Sequence, residues 1–170
     1  VEFLHLYPLS FAEFLDAIGK NNLREGLLKG DVPEIMHQEL LNHVKHYFII
    51  GGMPEIISIW LQYKDLNLCQ KAQDTIINTY RQDFEKYVGK YQIDYLSLLF
   101  EKIPTEIGNK FIFSGKEVSA YKVRQGLDLL SKAGILYKIH HSNAYAAPIA
   151  AGKSLKKFKL FFFDIGLLQR

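Results

Sequence analysis

The sequence predicts a mainly helical chain whose C-terminal part is α+β, and three observations lead there. Apolar residues recur at three- and four-residue spacing through most of the first hundred positions, as in amphipathic helices. Glycine and proline punctuate these stretches at Gly30, Pro33, Gly51-Gly52, Pro54 and Pro104, where helices stop and restart. Towards the C-terminus Leu155 to Phe161 alternates with the period of a strand.

Taken in order, Glu2 to Leu6 alternates like a strand end, and Ser10-x-x-Glu13 ahead of Phe14-Leu15 reads as a capping box opening a short helix. A second short helix around Leu23 to Leu28 ends at Gly30. Asp31 can cap a longer helix with Pro33 in its first turn, and Ile35, Met36, Leu40, Val44, Tyr47 and Phe48 form its core stripe up to Gly51. Gly51-Gly52-Met53-Pro54-Glu55 is then a corner. Its glycines can take the left-handed turn that ends one helix, Pro54 suits the first position of the next, and Glu55 meets the positive end of that helix's dipole.

A helix through Trp60 follows, then a longer one from about Leu68 to Val88 with Leu68, Ala72, Ile76, Tyr80, Phe84 and Val88 near one face. Ile93, Leu96, Leu99, Phe100 and Ile103 mark another, which Pro104 ends or kinks. Phe111 to Phe113 reads as a short strand. Ser119, or the residues just before it, starts a helix that carries Val123, Leu127 and Leu130 inward and stops at Gly134. Ile135 to His140 is strand-like, Ser142 to Gly152 is a small-residue loop, and Phe158 to Phe163 is an aromatic strand. Helix, strand, helix, strand, loop, strand is the order of a winged helix. The chain is therefore expected to divide into a helical linker region, residues 1–90, and a winged-helix-like domain, residues 91–170. The stretch between Pro104 and Ser119 is too short and strand-like for the usual middle helix, so little base specificity is expected of any DNA contact.

At 170 residues and 48% hydrophobic, the chain has enough material for one ordinary domain or two small ones. Its one cysteine, Cys69, cannot form an internal disulfide, and no signal peptide or apolar run of about 18 residues is present. A cytoplasmic protein with no membrane partner is the expectation. The start at Val1 inside a hydrophobic run, and the stop just after Ile165-Gly166-Leu167-Leu168, read as a piece of a longer protein. Charge is divided unequally: residues 1–109 hold 10 Lys/Arg against 15 Asp/Glu, whereas residues 110–170 hold 11 against 3. A basic segment of this kind points to nucleic acid or another acidic surface; docking on the acidic half, or simple solvation, is the alternative.

The helix from Ser119 carries the strongest binding signal. With Val123, Leu127 and Leu130 inward, Lys122, Gln125 and Lys132 project outward with Arg124 on the flank, the chemistry that phosphates and base edges need. Lys153, Lys156 and Lys157 would join them at the wing, and double-stranded DNA is the expected partner. Ala147 to Ser154 satisfies the loosest form of a phosphate-binding loop, but a strand-like run follows where a helix must open, and Pro148 removes a donor. No nucleotide is expected to bind there. His43 and His46 lie three apart with His37 nearby, but no second cluster supplies the remaining metal ligands. Cys69 lacks an obvious base and reads as packing.

Three segments add a family likeness. Tyr7-Pro8-Leu9-Ser10-Phe11-Ala12-Glu13-Phe14-Leu15, Gly51-Gly52-Met53-Pro54-Glu55 and Phe158 to Leu168, in this order, resemble the region C-terminal to the nucleotide-binding core in prokaryotic AAA-superfamily ATPases that carry domain of unknown function 4143. Tyr80-Arg81-Gln82-Asp83 followed by Lys86-Tyr87 is similar to a further pattern of that family. The resemblance implies that this piece is non-catalytic, with no cofactor of its own. ATP and Mg would be bound by the parent protein, at a phosphate loop upstream of Val1. It also implies contacts with other subunits or domains of that ATPase, Arg81 reaching a nucleotide or neighbouring subunit unless it forms an internal salt bridge, and a nuclease-like PD-(D/E)xK domain after Leu168 whose motif residues are absent here. The competing function is a structural coupling module that passes the ATPase state to a partner.

Overall fold

The computed structural model describes residues 4–87, 90–109, 111 and 119–170, with the backbone alone for 85–87, 90–95, 149 and 156. Its architecture is mostly helical with a small antiparallel sheet near the C-terminus, an α+β arrangement. The chain packs as two compact units: residues up to Thr79 together with Asp164–Arg170, and Tyr80–Phe163. The boundary expected at residue 90 falls inside the second of these. Among the described residues no helix is long and apolar enough to cross a membrane.

The first unit contains α1 (Phe11–Ala17), α2 (Asn21–Lys29), α3 (Glu34–Ile50), α4 (Pro54–Tyr63) and most of α5 (Leu66–Tyr87). The capping box forms as its residues dictate: Ser10 Oγ accepts from the Glu13 N–H at 3.4 Å, and Glu13 Oε2 accepts from the Ser10 N–H at 2.7 Å. Gly30 closes α2 in the left-handed conformation. Asp31 does not cap α3. Its N–H turns back to the Gly26 carbonyl at 3.1 Å and completes the end of α2, and Pro33 takes the N-cap place of α3 without a side-chain bond. Two small cores form, one of Phe14, Ile50, Ile56, Ile57 and Cys69, the other of Leu15, Leu23 and Leu40.

Two helices present a different face from the one their apolar pattern suggested. On α3 the covered stripe runs through Leu40, Val44, Tyr47 and Ile50, and Phe48, about 100° round from Tyr47, is exposed. Ile35, in the first turn, is 88% exposed. On α5 Cys69, Gln73 and Ile77 are buried, while Ala72 and Ile76 are half-buried and Leu68 lies at the surface. The cause is Gln73, whose Nε2 donates to the Ile49 and Ile50 carbonyls at 2.8 and 3.0 Å, at the end of α3 where no helical N–H remains to serve them. A polar residue thus sits at the centre of the buried face. Val88 lies outside the described residues.

The second unit contains the end of α5, then α6 (Lys90–Glu106), α7 (Ala120–Lys132), β1 (Leu136–Ser142), a 3-10 turn at Ile149–Gly152 and β2 (Lys153–Phe162). Pro104 stands two residues before the end of α6. Ser119 caps α7, its Oγ accepting from the Lys122 N–H at 3.4 Å, and Gly134 follows the helix with φ 75°. The strands pair antiparallel from Leu136↔Phe162 to His140↔Phe158, with an irregularity before Ser142↔Lys153. Along the other edge of β2 the N–H groups of Gly108 and Phe111 donate to the Leu160 and Phe158 carbonyls at 3.3 and 3.1 Å. The strand expected over Phe111 to Phe113 lies, apart from Phe111, outside the described residues. Leu96, Leu99, Phe100 and Ile103 of α6, Leu127 and Leu130 of α7, and Leu136, Phe158 and Leu160 of the hairpin are buried, and the Phe100 ring meets Phe84 and Phe162 edge-on at 5.4 and 5.8 Å.

Candidate functional site

Three segments distant in sequence meet in the first unit at Gly51. This residue ends α3 with φ 79° and ψ −170°, a backbone region open in practice to glycine alone, instead of the compact left-handed turn expected of it. The geometry answers to crowding. A Cβ on Gly51 would lie 2.3 Å from Asp164 Oδ1, one on Gly52 2.2 Å from the Leu9 carbonyl oxygen, and one on Gly166 2.6 Å from the Gly51 nitrogen. Asp164 is 3% exposed; its Oδ2 accepts from the Gly52 N–H at 2.7 Å and its Oδ1 from the Leu167 N–H at 2.9 Å. Gly52 in turn accepts from the Leu9 N–H, and the Leu9 carbonyl accepts from the Tyr47 hydroxyl, both at 2.7 Å. Pro54 opens α4 directly after this knot, with Glu55 in its first turn.

Burial pushes the Asp164 carboxyl above its ordinary range, against the opposing pull of the Leu167, Gly52 and Gly166 N–H groups. Burial also raises the Tyr47 hydroxyl, with the Asp164 charge adding to it. This arrangement holds backbone together rather than presenting a group to a substrate: its polar atoms are spent on one another. Asp164 and Gln73 carry structural roles that the sequence did not reveal. The one signal for Asp164 is a lone acid within Phe161-Phe162-Phe163-Asp164-Ile165, an apolar run that calls for a buried partner.

The basic candidates lie in the second unit. On α7 the side chains of Lys122, Arg124, Gln125 and Lys132 are exposed, while Leu127 and Leu130 are buried and Val123 half-buried. At about 100° per residue, Gln125 and Lys132 share the outermost face with Tyr121, Lys122 lies on one flank and Arg124 on the other. Gln125 Nε2 donates to the Tyr121 hydroxyl at 2.9 Å. Lys153 and Lys157 are exposed on β2, and the Lys156 side chain lies outside the described residues. Lys157 alternates with the buried Phe158 and Leu160, so it stands on the side of the hairpin away from α7; Lys153 begins β2 beside the loop, where the Asn143 N–H donates to the Gly152 carbonyl at 3.1 Å. The structure thus gathers the α7 residues on one helix and sets Lys157 apart from them. No described acidic residue pairs with Lys122, Arg124, Lys132, Lys153 or Lys157, whereas Lys138 on the inner face of β1 is paired with Asp128 of α7.

The remaining motifs have local roles. Lys153 and Ser154 open a strand, and a Cβ on Gly152 would lie 2.4 Å from the Ala144 nitrogen, so this glycine permits a close approach within the loop. Arg81 Nη2 lies 3.7 Å from Glu101 Oε1, an exposed internal ion pair; the side chains of Lys86 and Tyr87 lie outside the described residues. His43 Nε2 lies 3.6 Å from Glu39, and burial lowers its imidazole below the usual range. No group of three or more His, Cys, Asp or Glu positioned for a metal occurs among the described residues. Cys69 is buried with Sγ 3.8 Å from the Ile56 carbonyl, and burial raises its thiol.

No curated protein and no solved structure matches the chain. Residues 41–170 match the family model described as Domain of unknown function (DUF8612), a span that holds both Gly51 and Asp164 and all of the second unit, and the chain belongs to that family.

Proposed function

We propose that this chain is the non-catalytic region that follows the nucleotide-binding core of a cytoplasmic AAA-superfamily ATPase, and that its winged-helix-like part binds the backbone of double-stranded DNA. The observation that carries the DNA reading is the set of exposed cations, Lys122, Arg124, Lys132 and Lys153, without a described acidic partner; Lys157, on the other side of the hairpin, is not part of it. Local energetics supports it. The first turn of α7 holds no acid and carries Lys122, a cation at the positive end of the helix dipole, which costs stability and so calls for a use elsewhere. The order α6, α7, β1, loop, β2 fits a winged helix in which α7 lies against the duplex and Lys153 beside the loop takes a phosphate. Residues 80–163 hold fourteen Lys/Arg against seven Asp/Glu. The ATPase reading rests on the meeting of the three family-like segments at Leu9, Gly51-Gly52 and Asp164. ATP and Mg would belong to the parent protein.

Fluorescence anisotropy with two duplexes of unrelated sequence tests the DNA reading. Both duplexes are expected to bind at low salt with similar affinity, Lys122→Glu/Lys132→Glu to abolish binding, and Lys45→Glu in the first unit to leave it intact. Equal loss in both variants, or no binding by the unaltered chain, refutes the interface. A coupling role is the second reading, favoured by one feature: α5 runs unbroken through the Thr79/Tyr80 boundary, and the chain comes back to the first unit at Asp164. If the parent ATPase loses hydrolysis on Asp164→Ala but keeps it on Lys122→Glu/Lys132→Glu, the coupling reading gains over the DNA reading.

A further inference from the structure

Beside the exposed face of α7, within the second unit, lies a groove of about 660 Å³, inside the range of roughly 300–1,000 Å³ typical of small-molecule sites. Its exposed apolar lining comes from the Tyr121 ring of α7 and from Leu155 of β2, with the buried Leu127 and Phe158 at its floor. Its charge does not cancel. Lys138 and Asp128 neutralise each other across the groove, which leaves the Arg124 guanidinium without a described acidic partner. Two further polar groups have capacity to spare. The Tyr121 hydroxyl accepts from Gln125 Nε2 and keeps its own proton for donation. His140 Nδ1 lies 2.9 Å from the Ser154 carbonyl, which can only accept, so Nδ1 bears the proton and Nε2 is the free ring atom.

We propose that this groove binds a small organic anion with an aromatic or branched apolar body, its charge held by Arg124 with the Tyr121 proton and its body against Leu127, Leu155 and Phe158. An apolar lining with a few convergent donors is the usual make-up of such a site, and the unbalanced cation selects for negative charge. The groove shares Arg124 with the proposed DNA face but none of Lys122, Lys132 and Lys153, so the lysine substitutions that test DNA binding leave its lining intact.

Amide chemical-shift titration of the full chain with phenyl phosphate, benzoate and benzyl alcohol tests the proposal. Saturable shifts centred on Leu127, Lys138, His140 and Phe158 are expected with at least one of the two anions, and the difference between them identifies phosphate or carboxylate as the preferred head. Benzyl alcohol should bind about tenfold more weakly, the loss of one charge-assisted hydrogen bond. Arg124→Met should weaken the anion about tenfold and leave the alcohol unchanged. Leu155→Glu, at a side chain 67% exposed, should weaken the anion without disturbing the fold. No saturable shift with either anion, equal affinity for the neutral probe, indifference to both substitutions, or groove shifts elicited by duplex DNA alone would each overturn it.

Discussion

Replacing Asp164 with alanine is the sharpest perturbation of the knot, and its cost follows from the hydrogen bonds. The change leaves the Gly52 and Leu167 N–H groups without acceptors at 2.7 and 2.9 Å, where Asp164 itself is 3% exposed and water has little access. Each buried donor so orphaned costs about 1–3 kcal/mol, and the lost desolvation penalty of the carboxylate offsets part of the sum, so about 2–4 kcal/mol is expected. Asp164→Asn keeps one acceptor oxygen and turns an amide NH2 towards the other N–H, for a loss of about 1–3 kcal/mol. The assay is urea unfolding followed by the fluorescence of Trp60, the single tryptophan, which lies on α4 and packs against the Phe14, Ile50, Ile56 and Ile57 core of the same unit. A local probe reads the first unit without assuming that both units unfold together. Asp16→Ala on the exposed side of α1 serves as control and should stay within about 0.5 kcal/mol. A loss for Asp164→Ala no larger than that of the control would show that the Asp164 bonds to Gly52 and Leu167 do not stabilise the first unit.

The glycines make a paired prediction: Gly51→Ala should cost at least about 1–3 kcal/mol, because it meets Asp164 as well as an unfavourable φ, while Gly19→Ala, with φ 76° and open space around it, should cost only about 1 kcal/mol. Equal losses in the same urea assay would mean that crowding plays no part. Stability should fall on acidification as Glu13, Glu39 and Asp74 lose contributions that exist above their unfolded pKa: their carboxyls are held low by the Ser10 N–H, Lys20 and Arg170. Asp164 has the opposite sign, since its folded pKa is raised; its contribution is present below the unfolded value and is lost as pH rises through the folded one. Arg170→Met should therefore flatten the acid limb of the unfolding midpoint against pH, and an unchanged limb would show that the Arg170–Asp74 pair, at 2.7 and 2.8 Å, does not contribute.

Features set by neighbours in sequence were legible. Ser10 and Glu13 cap α1 through a spacing of three, Gly30 ends α2, Pro54 opens α4, and Leu127 and Leu130 face inward on α7, all consequences of short-range geometry. What the sequence hid depends on distant partners. Gln73 looks like a surface residue until the carbonyls at the end of α3 are placed against it, and the Asp164 bond to Gly52 spans 112 positions. The need for glycine at position 51 was readable, but its reason was not, because the crowding atom belongs to that distant carboxylate. The basic residues of α7 could be named from the helical period alone, whereas the separation of Lys157 from them depends on which side of the hairpin packs inward.

If the exposed cations of α7 and the start of β2 engage DNA phosphates as proposed, duplex binding must depend on salt. Plotting log affinity against log salt concentration for the full chain and for Lys122→Ala, Lys132→Ala and Lys153→Ala measures how many phosphates each form neutralises. A steep negative slope is expected for the unaltered chain, made shallower by about 0.9 for each of these lysines removed, with Lys157→Ala changing it least. An affinity indifferent to salt, slopes unchanged by these substitutions, or no duplex retained at about 50 mM salt would contradict it.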